Sequence, residues 1–331
     1  MDNDLSFSLG VILATFALSL GLTGIAKKIL ARRALLDIPN ERSSHQVPVP
    51  RGGGWAVVMI LLPALAWAAF SVEDGLRYGG LLLGIVLLAA ISWADDRYGV
   101  PARSRLSLHI LAACLGVLAF SPQETLFGGA VPFWLDRTLM IVGWAWFINL
   151  YNFMDGIDGI TGTETICIAT GLCLVMGLAG IDDPFVSFAT LALTGTCLGF
   201  LAYNWHPAKI FLGDIGSVPL GYITGFCLLT LAVDGHLAAA AILPLYYLAD
   251  SGITITRRAL KREKIWEAHR QHFYQHAARG MGHARTVLWI AAANAGLIGA
   301  ALLAVSHVEA GLALAVVLVA VLLGKLHKTA L

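Results

Sequence analysis

The chain has 331 residues, of which 58% are hydrophobic and only 13% charged, with a mean hydropathy of +0.76. A soluble globule of this length carries about one quarter charged residues, so the composition excludes one and indicates a polytopic membrane protein. The formal net charge of +1 gives no sign of a nucleic-acid partner, and none is expected.

Apolar runs of about 19 residues, the length a helix needs to cross the hydrocarbon core, predict an all-α fold with about eleven transmembrane helices. They centre near Phe16, Leu62, Ile85, Ala112, Met140, Leu172, Leu191, Phe226, Leu243, Ala293 and Val316. The loops at one set of helix ends hold all but two, Arg77 and Arg137, of the 22 Lys and Arg residues. That asymmetry predicts an outward N-terminus and a cytoplasmic C-terminus. The first run has Asp2 and Asp4 before it and Lys27 and Lys28 after it, the reverse of a secretory signal, and is expected to be a retained helix. The five cysteines lie in apolar runs without a C-x-x-C pair, as small buried side chains do. No soluble domain separates, so residues 1–331 are expected to form a single transmembrane domain. Its cytoplasmic loops fall near 27–54, 94–105, 151–160, 204–217 and 257–284.

The first loop, Asp37 to Gly54, is too rich in Pro and Gly to be helical. It carries Arg42, His45 and Arg51 and ends in three glycines, which fit a phosphate cradle or a tightly packed turn. Asp95-Asp96 closes the third run. Adjacent carboxylates repel and are misplaced at a helix C-terminus, so they either pair with Arg97 and Arg103 or serve a site. Asn152-Phe-Met-Asp155-Gly-Ile-Asp158-Gly follows the fifth run; on a helical turn Asp155 and Asp158 would share a face. Gly213-Asp214-Ile-Gly-Ser217 opens the eighth run, where Asp214 is either an N-cap or a metal ligand and the helix-start N–H groups could hold phosphate. The last loop has a basic strip, Arg257 to Lys264, suited to anionic lipid. His269-Arg270-Gln271-His272 follows, suited to phosphate or sugar.

These acids all fall on the basic side. Unpaired carboxylates beside a bilayer are costly and usually hold a metal or a cationic group. Oxygen donors without convergent Cys suit a hard cation, Mg2+ or Mn2+, better than zinc.

Taken in order, D-I-P-N-x-R-S-S-H-x-x-P-x-P-R-G-G-G, W-A-D-D-R, N-F-M-D-G-I-D-G, K-I-F-L-G-D-x-G-S and H-R-Q-H-F resemble the motifs of the polyprenyl-phosphate N-acetylhexosamine-1-phosphate transferases of glycosyltransferase family 4. The family includes undecaprenyl-phosphate GlcNAc-1-phosphate transferases and the phospho-MurNAc-pentapeptide translocase. The resemblance spans Asp37 to Phe273 and implies an Mg2+-dependent enzyme of the inner (cytoplasmic) membrane, with Mn2+ as a substitute metal and its active site on the cytoplasmic face. Such an enzyme passes a sugar-1-phosphate from a UDP-sugar donor to undecaprenyl phosphate and releases UMP. On this chain it implies Asp214 and Asp95 at the metal, and Asp95 and Asp96 at the attacking lipid phosphate. Asn152, Asp155 and Asp158 would line the nucleotide pocket, while His269, Arg270, His272, His45 and Arg51 would contact substrate. R-S-S-H and R-G-G-G are closer to the branch that initiates O-antigen or similar surface glycans, using GlcNAc or an N-acetylated 6-deoxyhexose. Ile215 departs from the smaller residue the family usually has there. A homodimer is compatible with this reading. The alternatives are a translocase-type peptidoglycan enzyme and a proton- or cation-coupled secondary transporter, whose acids belong nearer the bilayer midplane.

Overall fold

The computed structural model describes residues 2–38, 47–264 and 269–329. His45 and Arg42 therefore lie outside the described residues. The helices are α1 (Asp2–Arg32), α2 (Gly54–Ser71), α3 (Gly79–Tyr98), α4 (Ala102–Val117), α5 (Phe133–Phe153), α6 (Ile160–Ala179) and α7 (Pro184–Asn204). They continue with α8 (Asp214–Leu231), α9 (Leu237–Ile242), α10 (Leu245–Leu260), α11 (Phe273–Met281), α12 (His283–Ser306) and α13 (Val308–Lys328). Among the described residues the only sheet is β1 (Leu36–Asp37) antiparallel to β2 (Val49–Pro50).

Among the described residues, eight helical segments are long and apolar enough to cross a membrane: α1, α2, Gly75–Tyr98, α6, α7, Asp214–Ile242, α12 and α13. Helices also stand at two further expected spans, α4 with 16 residues and α5 with 21, the latter carrying Asp136 in its first turn. The expected ninth span is not one helix. It breaks at Leu243-Pro244 into α9 and α10, because proline has no N–H to donate and its ring clashes with the preceding turn.

Helices meet through small residues, as packing between apolar helices in lipid requires. α1 crosses α7 so closely that a Cβ on Gly199 would lie 2.5 Å from the Phe16 carbonyl oxygen. Ser19 Oγ also donates to the Thr196 carbonyl at 2.7 Å. The central seam joins α4, α5 and α8. There Trp144 stacks on Tyr222 at 4.6 Å and donates to its carbonyl, and the Tyr222 hydroxyl donates to the Ala112 carbonyl. This seam sets the spacing of the ends of α3, α5 and α8, which carry the candidate acids. All five cysteines are free and buried or partly buried.

Candidate active site

Asp95 and Asp96 end α3, Asn152 ends α5 and Asp214 begins α8. The fold brings these ends together. Asn152 Nδ2 donates to Asp214 Oδ2 at 3.2 Å, and Ser217 Oγ donates to Asn152 Oδ1 at 2.7 Å. The α8 N-terminus also binds α3, since the Ile215 N–H donates to Asp96 Oδ2 at 3.3 Å. Ile215 itself is buried with Val58 and Ala89, filling the gap between α2 and α3.

Two arginines interleave with the three aspartates. Arg51 Nη2 lies 2.7 Å from Asp96 Oδ1 and 3.1 Å from Asp214 Oδ1. Arg105 Nη1 lies 2.5 Å from Asp95 Oδ2 and 3.5 Å from Asp214 Oδ2. The sequence offered Arg97 and Arg103 as partners for the acid pair, but the side chains that reach it are Arg105, one helix on, and Arg51. Arg97 lies instead over the ring of Tyr98. Three carboxylates against two guanidiniums leave one negative charge over, and every donor is oxygen. That set fits a hard divalent cation, and Asp214, Asp95 and Asp96 are the residues that would hold it.

The glycine run before α2 makes a tightly packed turn and not a phosphate cradle. Its N–H groups are already used: Gly52 and Gly53 donate to the Phe211 carbonyl and Gly54 to that of Leu212. This pairing places Arg51 beside the Gly213-Asp214 step, where Arg51 and Phe211 form a bridge.

Asp155 and Asp158 do not share a face. The segment between α5 and α6 is a loop and not a helical turn, so the two carboxylates part. Burial above all, with the charges of Asp214 and Asp96 behind it, pushes the Asp155 carboxyl up to about 7, which ties Asp155 electrostatically to the acid cluster. Asp158 faces the other way. Its Oδ2 accepts from His206 Nδ1 at 2.6 Å and the Ala208 N–H at 3.1 Å, with His283 Nδ1 3.3 Å away. Burial raises this carboxyl, but the adjacent His283 and His206 imidazoles and the Ala208 N–H outweigh it and hold it below the usual range. The three side chains offer ligand atoms within 4.8 Å of one another. The 2.6 Å contact is nevertheless a hydrogen bond, shorter than the ~3.4 Å that separates two ligands at tetrahedral zinc distances.

In the H-R-Q-H-F segment, His272 is 1% exposed, while His269 and Arg270 are partly exposed. Burial, then the neighbouring His272 and Arg258, bring the His269 imidazole down to about 4, so it is neutral near pH 7. Tyr274 joins this segment to the end of α5, its hydroxyl donating to the Phe153 carbonyl at 3.0 Å. Gly156 leaves room for that hydroxyl, which would lie 2.2 Å from a Cβ there.

A cavity of about 620 Å³ opens beside the cluster between α3, α4, α5, α8 and α10. Asp95, Arg103, Arg105, Asn152 and Asp214 line one part of it, and apolar side chains including Ile91, Leu106, Ile110, Val142 and Trp146 line the rest. His109 is also there, buried, its Nδ1 without a hydrogen-bond partner among the described residues. Sequence reading passed over His109 and Arg105, though a charged residue and a histidine one turn apart in a candidate span are the signal for such a wall. It also passed over Glu164 and Asp250, both fully buried.

Residues 78–232, which carry Asp95, Asp96, Asp155, Asp158 and Asp214, match the family model described as glycosyl transferase family 4. The match takes in a little under half of the chain, and over that stretch the chain resembles glycosyl transferase family 4. The protein is 27% identical over 283 residues to a probable undecaprenyl-phosphate N-acetylglucosaminyl 1-phosphate transferase of Bacillus subtilis, covering 81% of this chain and 77% of that one. It is 32% identical over 218 residues to the decaprenyl-phosphate N-acetylglucosaminephosphotransferase of Mycobacterium leprae, covering 60% of this chain but only 55% of the relative. A phospho-N-acetylmuramoyl-pentapeptide-transferase of Wolbachia pipientis is 30% identical over 196 residues, which cover 53% of this chain and 58% of the relative. The chain thus spans little more than half the length of these last two. Arg51 and the H-R-Q-H-F segment lie outside the matched family region.

Proposed function

We propose that this protein transfers an N-acetylhexosamine-1-phosphate from a UDP-sugar to undecaprenyl phosphate at the cytoplasmic face of the inner membrane, releasing UMP. The observation that carries the reading is the cavity in which an aspartate-arginine-asparagine end continues into an apolar wall. A polyprenyl phosphate has that same division, a charged head on an oily chain.

In this mechanism an oxygen of the lipid phosphate attacks the β-phosphorus of the donor. A P–O bond forms there as the bond from the β-phosphorus to the bridging oxygen breaks, and the electron pair leaves on UMP. The acceptor needs little help from a base, because a phosphate monoester with a second pKa near 6 is largely dianionic at about pH 7. Arg105 and Arg103 hold the acceptor phosphate, and Arg51 holds the donor's. Asp155, with Asn152, borders the nucleotide, and Asp158 supports that loop through His206 and His283. Mg2+, with Mn2+ as a substitute, would be held by Asp214 with Asp95 and Asp96. When bound it neutralises the diphosphate charge that otherwise repels a second phosphate.

The R-S-S-H and R-G-G-G wording of the first loop favours GlcNAc or an N-acetylated 6-deoxyhexose as the sugar, and the first membrane step of an O-antigen or similar surface glycan as the role. The test is purified protein with undecaprenyl phosphate, Mg2+ and a panel of UDP-sugars, with UMP detected. Release from UDP-GlcNAc or a 6-deoxy relative is the expected result. Release only from UDP-MurNAc-pentapeptide would assign the peptidoglycan reaction, and release from none would overturn the proposal.

A further inference from the structure

Asp250 lies on α10 and is 0% exposed. Five donors converge on its two oxygens. Oδ1 accepts from His272 Nδ1 and the Phe273 N–H, both at 3.1 Å, and from Thr254 Oγ1 at 3.4 Å. Oδ2 accepts from the Tyr274 N–H at 3.1 Å and the Tyr246 hydroxyl at 3.2 Å. Two of these are first-turn N–H groups of α11, so the carboxylate closes that helix start as a capping group would, but from another helix.

The carboxylate also fixes the chemistry of His272. An ionised carboxylate only accepts, so this contact favours the tautomer with the proton on Nδ1. The ring is then clamped in one orientation, and the rings of His269 (4.8 Å, 25°) and Tyr274 (5.5 Å, 24°) stack on it. Tyr274 in turn reaches Phe153 beside Asn152. Among the described residues Asp250 makes no hydrogen bond to the acid cluster, yet its contacts run through His272 to the ring of His269, and through the α11 start to Tyr274 and Phe153.

We propose that Asp250 is a positioning residue for the sugar-nucleotide donor, acting through His272 to present His269 and Arg270 to the donor's phosphate and sugar. This rests on the transferase reading above and goes beyond it, because neither Asp250 nor its contact with His272 was part of any motif. A group acting through a partner gives non-additive losses when both are changed.

The experiment measures UMP release by full-length wild type, Asp250→Asn, His272→Gln, His272→Asn and the double variant Asp250→Asn/His272→Gln, varying donor and acceptor separately. Asp250→Asn is expected to lower kcat/KM for the UDP-sugar at least tenfold, with the KM for undecaprenyl phosphate changed less than twofold. The double variant is expected to match His272→Gln within twofold. His272→Asn, whose amide N–H can reach Asp250 where Nδ1 does, is expected to be at least threefold more active than His272→Gln. Unchanged donor kinetics in Asp250→Asn, losses that multiply in the double variant, or a parallel rise in acceptor KM would each overturn the assignment. If Asp250→Asn does not fold, the two His272 variants decide alone, and equal activities overturn it. A wild type that releases UMP from no donor overturns the functional reading, and this assignment falls with it.

Discussion

Arg51 and Asp214 stand 163 residues apart in the chain and 3.1 Å apart in space, guanidinium Nη2 against carboxylate Oδ1. Arg51 Nη2 also lies 2.7 Å from Asp96 Oδ1, so one cation ties the acid that closes α3 to the acid that opens α8. The glycine turn that delivers Arg51 is thereby part of the site and not a linker.

Asp214→Asn keeps the size of the side chain and removes its charge. Transfer is expected to fall by about 10²–10³-fold or more, the loss seen when one group stabilising developing charge is removed, while the variant elutes and melts as a folded protein. Radiolabelled sugar nucleotide gives the readout. Near-normal turnover with undiminished metal dependence would remove Asp214 from the metal site.

Gly54→Ala tests the close approach of α2 to α8. A Cβ at residue 54 would lie 2.2 Å from the backbone nitrogen of Gly216. Backbone cannot rotate away as a side chain tip does, so the α8 start must shift, and with it Asp214. The expected outcome is a lower melting temperature together with at least a tenfold loss of turnover. A fully active, equally stable variant would show that the two helix starts are not tightly coupled.

The membrane character and the position of the helices could be read in the sequence because each follows from local composition. The acids could be read as a set because they interrupt apolar runs at helix ends. Their partners could not. Arg105 and Arg51 reach the aspartates through contacts between separate segments, and local sequence does not say which acid a given arginine meets. The divergence of Asp155 and Asp158 follows from the backbone between α5 and α6 being loop and not helix, so the three-residue spacing does not stack them. Asp250 was legible in principle as an acid in a candidate span, but its five donors come from α10 itself and from the start of α11, after a long polar stretch.

Asp155 predicts a pH dependence of stability. Its carboxyl is raised from 3.8 to about 7, so between those values the folded protein binds a proton that the unfolded chain does not. The stability from this group is complete below the unfolded value and is lost as pH rises through about 7. In the absence of added metal, with EDTA present, the melting temperature of wild type is expected to fall relative to Asp155→Asn as pH goes from 5 to 8. Parallel curves for the two proteins over that range would show that Asp155 is not held protonated.

Glu164 is the acid that does not belong to the site. It sits inside α6, fully buried, where Asn294 of α12 donates to its Oε2 at 2.6 Å, and its Oε1 has no hydrogen-bond partner among the described residues. Removing one member of a buried polar pair leaves the other uncompensated, at a cost of about 1–3 kcal/mol or more for a charged group, whereas replacing both by apolar groups of similar shape is nearly neutral. Asn294→Leu is therefore expected to lower the melting temperature in detergent, and Glu164→Met/Asn294→Leu to recover most of the loss with UMP release retained. The same pair separates a transferase from a cation-coupled carrier. A carrier that moved protons through this acid would lose sugar or lipid uptake in vesicles when Glu164 is replaced, whereas a transferase whose chemistry lies at the α3, α5 and α8 ends keeps its turnover.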